Sequence, residues 1–528
     1  MKKAFLILIL LTLYYQVSFG QILNGDLTGS FESNNIYYFN DITTNALQPE
    51  NPFGSNNYLK LDYRKGLFSA GIQYEAYLAP LVGYNPLLEG NEFVFKYIQF
   101  ANNYLNITAG NFYEQFGSGL IFRSFEERAI GLNTAMDGVR INFKPVSYIN
   151  LKAFWGKQRK YLKNGSGVVR GIDGEIDIMN AIHQDQNSTI LLMGGSWVSR
   201  FQTYTGIVED YPSTVDAWSA RMQFEHGFFS FYSEFVEKTN EPTINNQNSQ
   251  EIGNALLISP SFIGNNIGVN INFRCLKNME FRSEREAVSH TLLLNYLPAL
   301  TRQHKYALAN LHPYGAMARG EIGGQIDVFY RFNKDSFLGG KYGMNISANF
   351  SYYQNLDYRN EEYQKFLSFG DKKLFQDFNV ELEKKVSSVL KINLSYIDMQ
   401  YNKGAIVSGG NDFINSKIAV VDVQYKLNSR SSVRSEIQHL WTKQDEKNWV
   451  YGLVEYSFAP KFSVFASDMF NYGYTNIHYL SGGFAFTHEV TKFMISAGRH
   501  KEGLECVGGI CNQVEAYTGI NFSITTSF

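Results

Sequence analysis

The sequence predicts an all-β fold: a large antiparallel β-barrel spanning the bacterial outer membrane, with roughly 22 to 26 strands, short periplasmic turns and longer external loops. Three observations predict it. The chain ends on an alternating segment closed by an aromatic residue, and it opens on an export leader. Between the two, apolar and polar residues alternate in short runs, with no continuous apolar stretch of helical length.

Residues 516–528 read AYTGINFSITTSF. Thr518, Ile520, Phe522, Ile524, Thr526 and Phe528 form one mostly apolar set, and the residues between them are mostly polar. Successive strand side chains point to opposite faces, so this strand is apolar on one side and wet on the other. It resembles the closing strand of outer-membrane barrels. That resemblance makes Ile520, Phe522, Ile524 and Phe528 the signal read by the barrel-insertion machinery. The alternative is an edge strand of a soluble β domain.

At the other end, Lys2 and Lys3 precede an apolar run over residues 4–13 broken only by Thr12. Ser18 and Gly20 are small residues suited to a cleavage site, so residues 1–20 read as a signal peptide and Gln21 as the mature start. The run is shorter than the roughly 20 residues a helical span needs. No Cys follows the cut, so no lipoprotein anchor is expected. Residues 21–528 then form a single barrel domain, with nothing before the first strands long enough for an N-terminal plug.

Composition agrees. Lys and Arg number 47 against 49 Asp and Glu, which leaves no basic excess for nucleic acid. The 42 Phe and 35 Tyr suit strands and membrane interfaces. With no helical span, the backbone in lipid is satisfied by closing a barrel.

The alternation runs through the chain. Leu59, Leu61 and Tyr63 precede a turn at Lys65 and Gly66; Val139, Ile141 and Phe143 precede one near Pro145; Phe378, Val380 and Leu382 precede one at Ser387 and Ser388. Longer polar connections are expected at 41–57, 157–167, 238–250, 355–374, 402–416 and 501–513. Residues 281–319 fit the alternation poorly and read as an infolded loop or lumen plug, since a barrel this wide needs mass inside it.

Two stretches are denser in Gly, Arg, Glu and His than strands require: residues 110–131, GNFYEQFGSGLIFRSFEERAIG, and residues 297–325, LPALTRQHKYALANLHPYGAMARGEIGGQ. With the overall layout, they resemble a family of uncharacterised, porin-like outer-membrane barrels from the Bacteroidota, catalogued as a domain of unknown function. The resemblance implies location and fold, and brings no functional residues with it.

The charges in those stretches are the candidate lumen residues: Glu114, Arg123, Glu126, Glu127, Arg128, Arg302, His304, Arg319 and Glu321. They form either a constriction that sorts solutes by charge or a set of mutually neutralising pairs bracing the interior, and the mixed signs favour the second. His312 poses the same choice. Lipid is excluded for them, because Arg at the midplane costs about 2 to 4 kcal/mol.

Cys506 and Cys511, separated by VGGI, suit a loop disulfide in an oxidising compartment. A metal site would need more ligands than the nearby His500. Cys275 is left over, facing lipid or packing. No nucleophile elbow, phosphate loop or calcium ladder occurs, and GSGL at 117–120 is too short to count. The expectation is a non-enzymatic protein without cofactors. Its expected partners are outer-membrane lipid, the insertion machinery and an unidentified envelope protein, with no nucleic acid. Two functions follow: a channel for small polar solutes without energy coupling, or a sealed scaffold in a secretion or surface-uptake complex.

Overall fold

The computed structural model describes residues 24–183, 189–204, 211–359, 363–408, 412–507 and 510–528. The leader expected over residues 1–20 lies outside them. Twenty-four strands join into one antiparallel sheet, within the number the alternation predicts. The sheet closes on itself where the first strand, Asp26–Phe39, pairs with the last, Tyr517–Ser527. Among the described residues no helix is long and apolar enough to cross a membrane.

Each strand turns one set of side chains outward, where large apolar groups stay exposed in the isolated chain: Val139 pairs with Trp155, Ile437 lies two residues from His439, and Phe484 neighbours Val464. This exposed apolar wall is the lipid face of a transmembrane barrel. In the last strand Ile520 and Phe522 are exposed on that wall, while Ile524 is covered. The Phe528 amide donates to Gly29 O at 2.9 Å, and Phe528 O accepts from the Gly29 amide at 2.7 Å. Its ring lies on Gly29, where a Cβ would come within 2.4 Å of it.

One outward patch breaks the apolar rule. Ser33 and Asn35 of the first strand face Asn57 and Ser55 of the second, Phe53–Lys65. Four bonds close a ring: Ser33 Oγ donates to Asn57 Oδ1 (2.7 Å), Asn57 Nδ2 to Ser55 Oγ (2.8 Å), Ser55 Oγ to Asn35 Oδ1 (2.7 Å) and Asn35 Nδ2 to Ser33 Oγ (2.9 Å). The ring satisfies its own polar groups, as a lipid-facing wall requires.

The two rims differ. At one, where both chain ends lie, most connections are tight, such as Lys65 to Phe68, Ala101 to Leu105 and His488 to Thr491. At the other, three long connections turn inward. Residues 278–319 cross the interior from wall to wall. Gln158 Nε2 donates to Leu293 O on one side (2.7 Å), and the Leu308 amide donates to Gln438 Oε1 on another (2.9 Å). Residues 113–135 pack against them, the Arg123 amide donating to Leu294 O at 2.8 Å. The hairpin Gly503–Val507 with Ile510–Val514 joins both, through Cys511 O to His290 Nε2 (2.5 Å) and Asn512 Nδ2 to Ile130 O (3.1 Å).

Two of the expected long connections differ. Residues 157–167 hold only a two-residue turn between Ile149–Lys160 and Lys163–Asp177, and residues 355–374 belong mostly to the strands Met344–Arg359 and Tyr363–Lys385. Above the lipid band both strand faces are wet, so alternation disappears while pairing continues. The second hairpin also folds over the outer wall: Phe366 and Leu356 cover Cys275, which is fully buried.

Candidate functional site

The lumen is built from inward strand residues meeting the three infolded connections. In one half the meeting is dry. Phe116, Ile121 and Phe122 from the 113–135 connection, with Phe281 and Leu294 from 278–319, pack on Phe154, Val169, Val198, Val215 and Val236 of the wall. Phe122 stacks on Phe154 with ring centroids 4.4 Å apart. The GSGL turn belongs here. Gly117 sits at φ 53°, a backbone state that only glycine adopts without strain, and a Cβ there would meet the Glu234 carboxylate at 2.5 Å. Glu234 Oε2 accepts from both the amide (2.9 Å) and the hydroxyl (2.5 Å) of Ser118.

The other half is lined by Tyr, Met and His and keeps space. A cavity of about 550 Å³ lies between residues 299–314, the 499–507 segment and the wall residues Met399, Tyr451, Ser467, Met469, Tyr479 and Ser481. A second of about 190 Å³ shares His312, Pro313 and Lys501 with it and reaches Lys403, Asp445 and Glu446 at the long-loop rim. The two adjoin along one wall.

The candidate charges fall into separate groups. Glu114 takes Lys152 Nζ at 2.9 Å and Arg140 Nε at 3.3 Å, tying the first infolded connection to two strands. Arg128 reaches Glu32 (2.9 Å) and Glu126 (3.2 Å) and lies over the Tyr58 ring. Glu127 accepts from the Ala129 amide and caps the turn Arg128–Ile130. Arg123 lies over the rings of Tyr296 (4.1 Å) and Phe125 (5.1 Å). Glu321, fully buried, binds Arg274 (2.7 Å), the Tyr314 hydroxyl (2.7 Å) and the Met317 amide (2.8 Å). Arg302 binds Glu381 at 2.5 Å, and His304 Nε2 meets Asp377 Oδ2 at 2.6 Å, both beside the larger cavity. Arg319 stands apart, exposed, against Gln247. Cys506 and Cys511 are disulfide-bonded across their hairpin, with Cα atoms 4.0 Å apart.

Sequence reasoning missed the charges carried by the strands themselves. Arg159 binds Glu75 at 2.6 Å, Arg221 binds Asp173 at 2.7 Å, and Arg200 and Lys238 share Glu241. Their signal was position: Glu75, Asp173, Arg200, Arg221 and Lys238 occupy inward places in the alternation, whereas a register shift after Lys157 turns Arg159 inward. His312, between the two cavities, is largely covered, and that desolvation pushes its imidazole down to about 4. Asp445, 3.7 Å away, pulls it back only in part, and Lys403 and Lys501 push it further down. Asp445 itself is lowered: burial acts to raise it, but the Lys403 hydrogen bond and the neighbouring cations prevail.

The model overlaps solved structures at low identity. The siderophore receptor PirA from Pseudomonas aeruginosa matches at 8% identity and a TM-score of 0.39, over 95% of this chain and 80% of that one. A ferric enterobactin receptor mutant from Pseudomonas aeruginosa matches at 9% and 0.41 over the same shares. The outer membrane protein opdK from Pseudomonas aeruginosa matches at 10% and 0.38, over 75% of this chain and 98% of that one. A comparison with curated proteins found no match. Over residues 1–528 the chain matches a family model described as a family of unknown function, DUF6029, and it belongs to that family.

Proposed function

We propose that this barrel lies in an outer membrane, tight turns toward the periplasm, and conducts small polar solutes through a side passage without catalysing a reaction. The observation that carries this reading is the pair of adjoining cavities, about 550 and 190 Å³, running from the long-loop rim past His312 toward Asp377 and Ser467. Their lining mixes polar and apolar groups, and Asp377, Asp445, Glu446 and Glu505 each lie against a base, which suits solutes of low net charge. The test is single-channel conductance of the purified protein in a planar bilayer. Discrete small steps that grow in Tyr479→Ala support the passage, because Tyr479 lines the larger cavity from the wall. A silent bilayer with correctly folded protein sinks it.

A second reading is a sealed scaffold for an envelope assembly, supported by the dry half of the lumen and the hydrogen bonds that pin 278–319 to opposite walls. Stoichiometric recovery with another envelope protein in mild detergent, together with a silent bilayer, supports it.

A further inference from the structure

The outer wall of the first strands carries a groove that the passage does not use. It is about 680 Å³, almost wholly apolar, and open along the lipid face. Register shows how it runs. Leu27 lies opposite Tyr63, Tyr63 opposite Ala70, Ala70 opposite Ile98, and Ile98 opposite Ala109. The floor is low because Ala70 and Ala109 are small, and Ile72 and Ile98 stand exposed beside them. Gly110, at φ 101°, lets its strand come so close that a Cβ would lie 2.2 Å from Lys96 O. Four inter-strand steps make the groove roughly 19 Å long.

The row is oblique to the membrane. Leu27 is one residue from the start of its strand at the tight-turn rim, whereas Ala109 is four residues above the corresponding end of its own. The groove therefore climbs toward the long-loop side as it passes from strand to strand. At its upper end stands Lys96, exposed, one position above Ile98 on the same face. Continuing the row, Ala109 lies opposite Val139, Val139 opposite Trp155, and Trp155 opposite Arg170. Lys157 stands one position above Trp155. Lys96, Lys157 and Arg170 are all exposed, and Trp155 between them is 56% exposed.

Among the described residues none of these three cations has a carboxylate within 4 Å; Arg170 lies over the Trp197 ring at 5.6 Å. Asp137 is opposite Lys157, but its carboxylate takes Asn164 Nδ2 at 2.6 Å. Three other basic groups at the upper edge of the outer wall are matched: His478 with Asp468 (2.6 Å), Arg499 with Asp41 (2.6 Å) and Lys417 with Asp398 (3.9 Å). Three exposed cations without a carboxylate partner thus lie together beside the groove.

We propose that this sector binds one membrane lipid whose headgroup carries phosphates: a chain lies in the groove from Ala109 toward Leu27, and the phosphates lie along the row of Lys96, Lys157 and Arg170. Phosphate oxygens supply the missing counter-charge at the headgroup layer, and the exposed Trp155 marks that layer. Each cation near a lipid surface contributes about 1 kcal/mol.

The test is native mass spectrometry of the whole protein from detergent, titrated with diphosphoryl lipid A and with the same lipid freed of both phosphates. Wild type is expected to retain one diphosphoryl lipid. The triple variant Lys96→Gln, Lys157→Gln, Arg170→Gln should lose roughly hundredfold in affinity, and Lys417→Gln should not. Ala70→Phe fills the groove and should weaken binding with the cations intact. An unchanged gel shift between boiled and unboiled samples establishes that each variant is folded. Equal retention of the phosphate-free lipid, or folded variants that bind as wild type does, overturns the proposal.

Discussion

The two halves of the lumen are made by the same infolded connections yet differ in kind. Where residues 113–135 meet the valine-rich wall, Phe and Ile side chains exclude space; where residues 299–314 meet the tyrosine- and methionine-lined wall, about 550 Å³ remains. The difference is one of inventory. Short apolar side chains opposite phenylalanines can close to interior density. Tyr451, Tyr479 and His312 bring polar atoms that need partners or water, so the second half stays partly open. One half is packed against the infolded connections; the other keeps open space beside them.

The contrast can be broken from its dry side. Phe122→Ala removes a fully buried ring and should cost about 3 to 5 kcal/mol. The unboiled form should convert to the boiled form at a visibly lower temperature, and background conductance should rise. Unaltered conversion would mean the dry half contributes little to holding the loops. Of similar size, Glu321→Gln leaves Arg274 buried without its counter-charge, at about 3 to 5 kcal/mol. The double change Glu321→Gln with Arg274→Met should recover much of that loss in the same gel assay, and failure to recover would assign the effect to the lost Tyr314 contact instead.

The open side should respond in transport as well as in stability. Tyr479→Ala removes a buried ring that faces the cavity on one side and should cost about 3 kcal/mol while enlarging the conductance step. A stability loss with an unchanged step would erase the distinction between the halves. The smallest effect concerns pH. The folded pKa of His312, about 4, lies below its ordinary 6.5, so the unfolded or opened loop binds the proton more readily. The stabilising effect of neutral His312 is present above about 6.5 and is lost as pH falls toward 4. Loop docking, read by protease resistance of residues 299–314, should weaken over that window, and His312→Gln should flatten the dependence.

Much of this was legible in the residues. The last strand announced closure because Ile520 and Phe522 alternate with polar neighbours, and a failure of alternation over 281–319 marked most of the connection that folds inward. What stayed hidden has physical causes. Lys157 and Asn164 belong to strands that continue beyond lipid, where no apolar face marks them. The pairs Glu75 with Arg159 and Arg274 with Glu321 join residues 84 and 47 positions apart, and only strand order brings them together. The candidate charges Arg128 and Arg302 belong to different walls, because two connections enter the lumen at different points.

The ring of Ser33, Asn35, Ser55 and Asn57 has a consequence for how the barrel comes together. Two of its bonds cross between the first two strands and one braces the side chains along each strand, beside the edge that waits longest for its partner. Greasy residues tolerate sliding by two positions, since the same face still meets lipid. This ring does not: any slip of one strand along the other breaks the Ser33–Asn57 and Ser55–Asn35 bonds together and leaves polar groups facing hydrocarbon. The opening hairpin therefore carries its own ruler, and the last strand is measured against an edge whose register is already set.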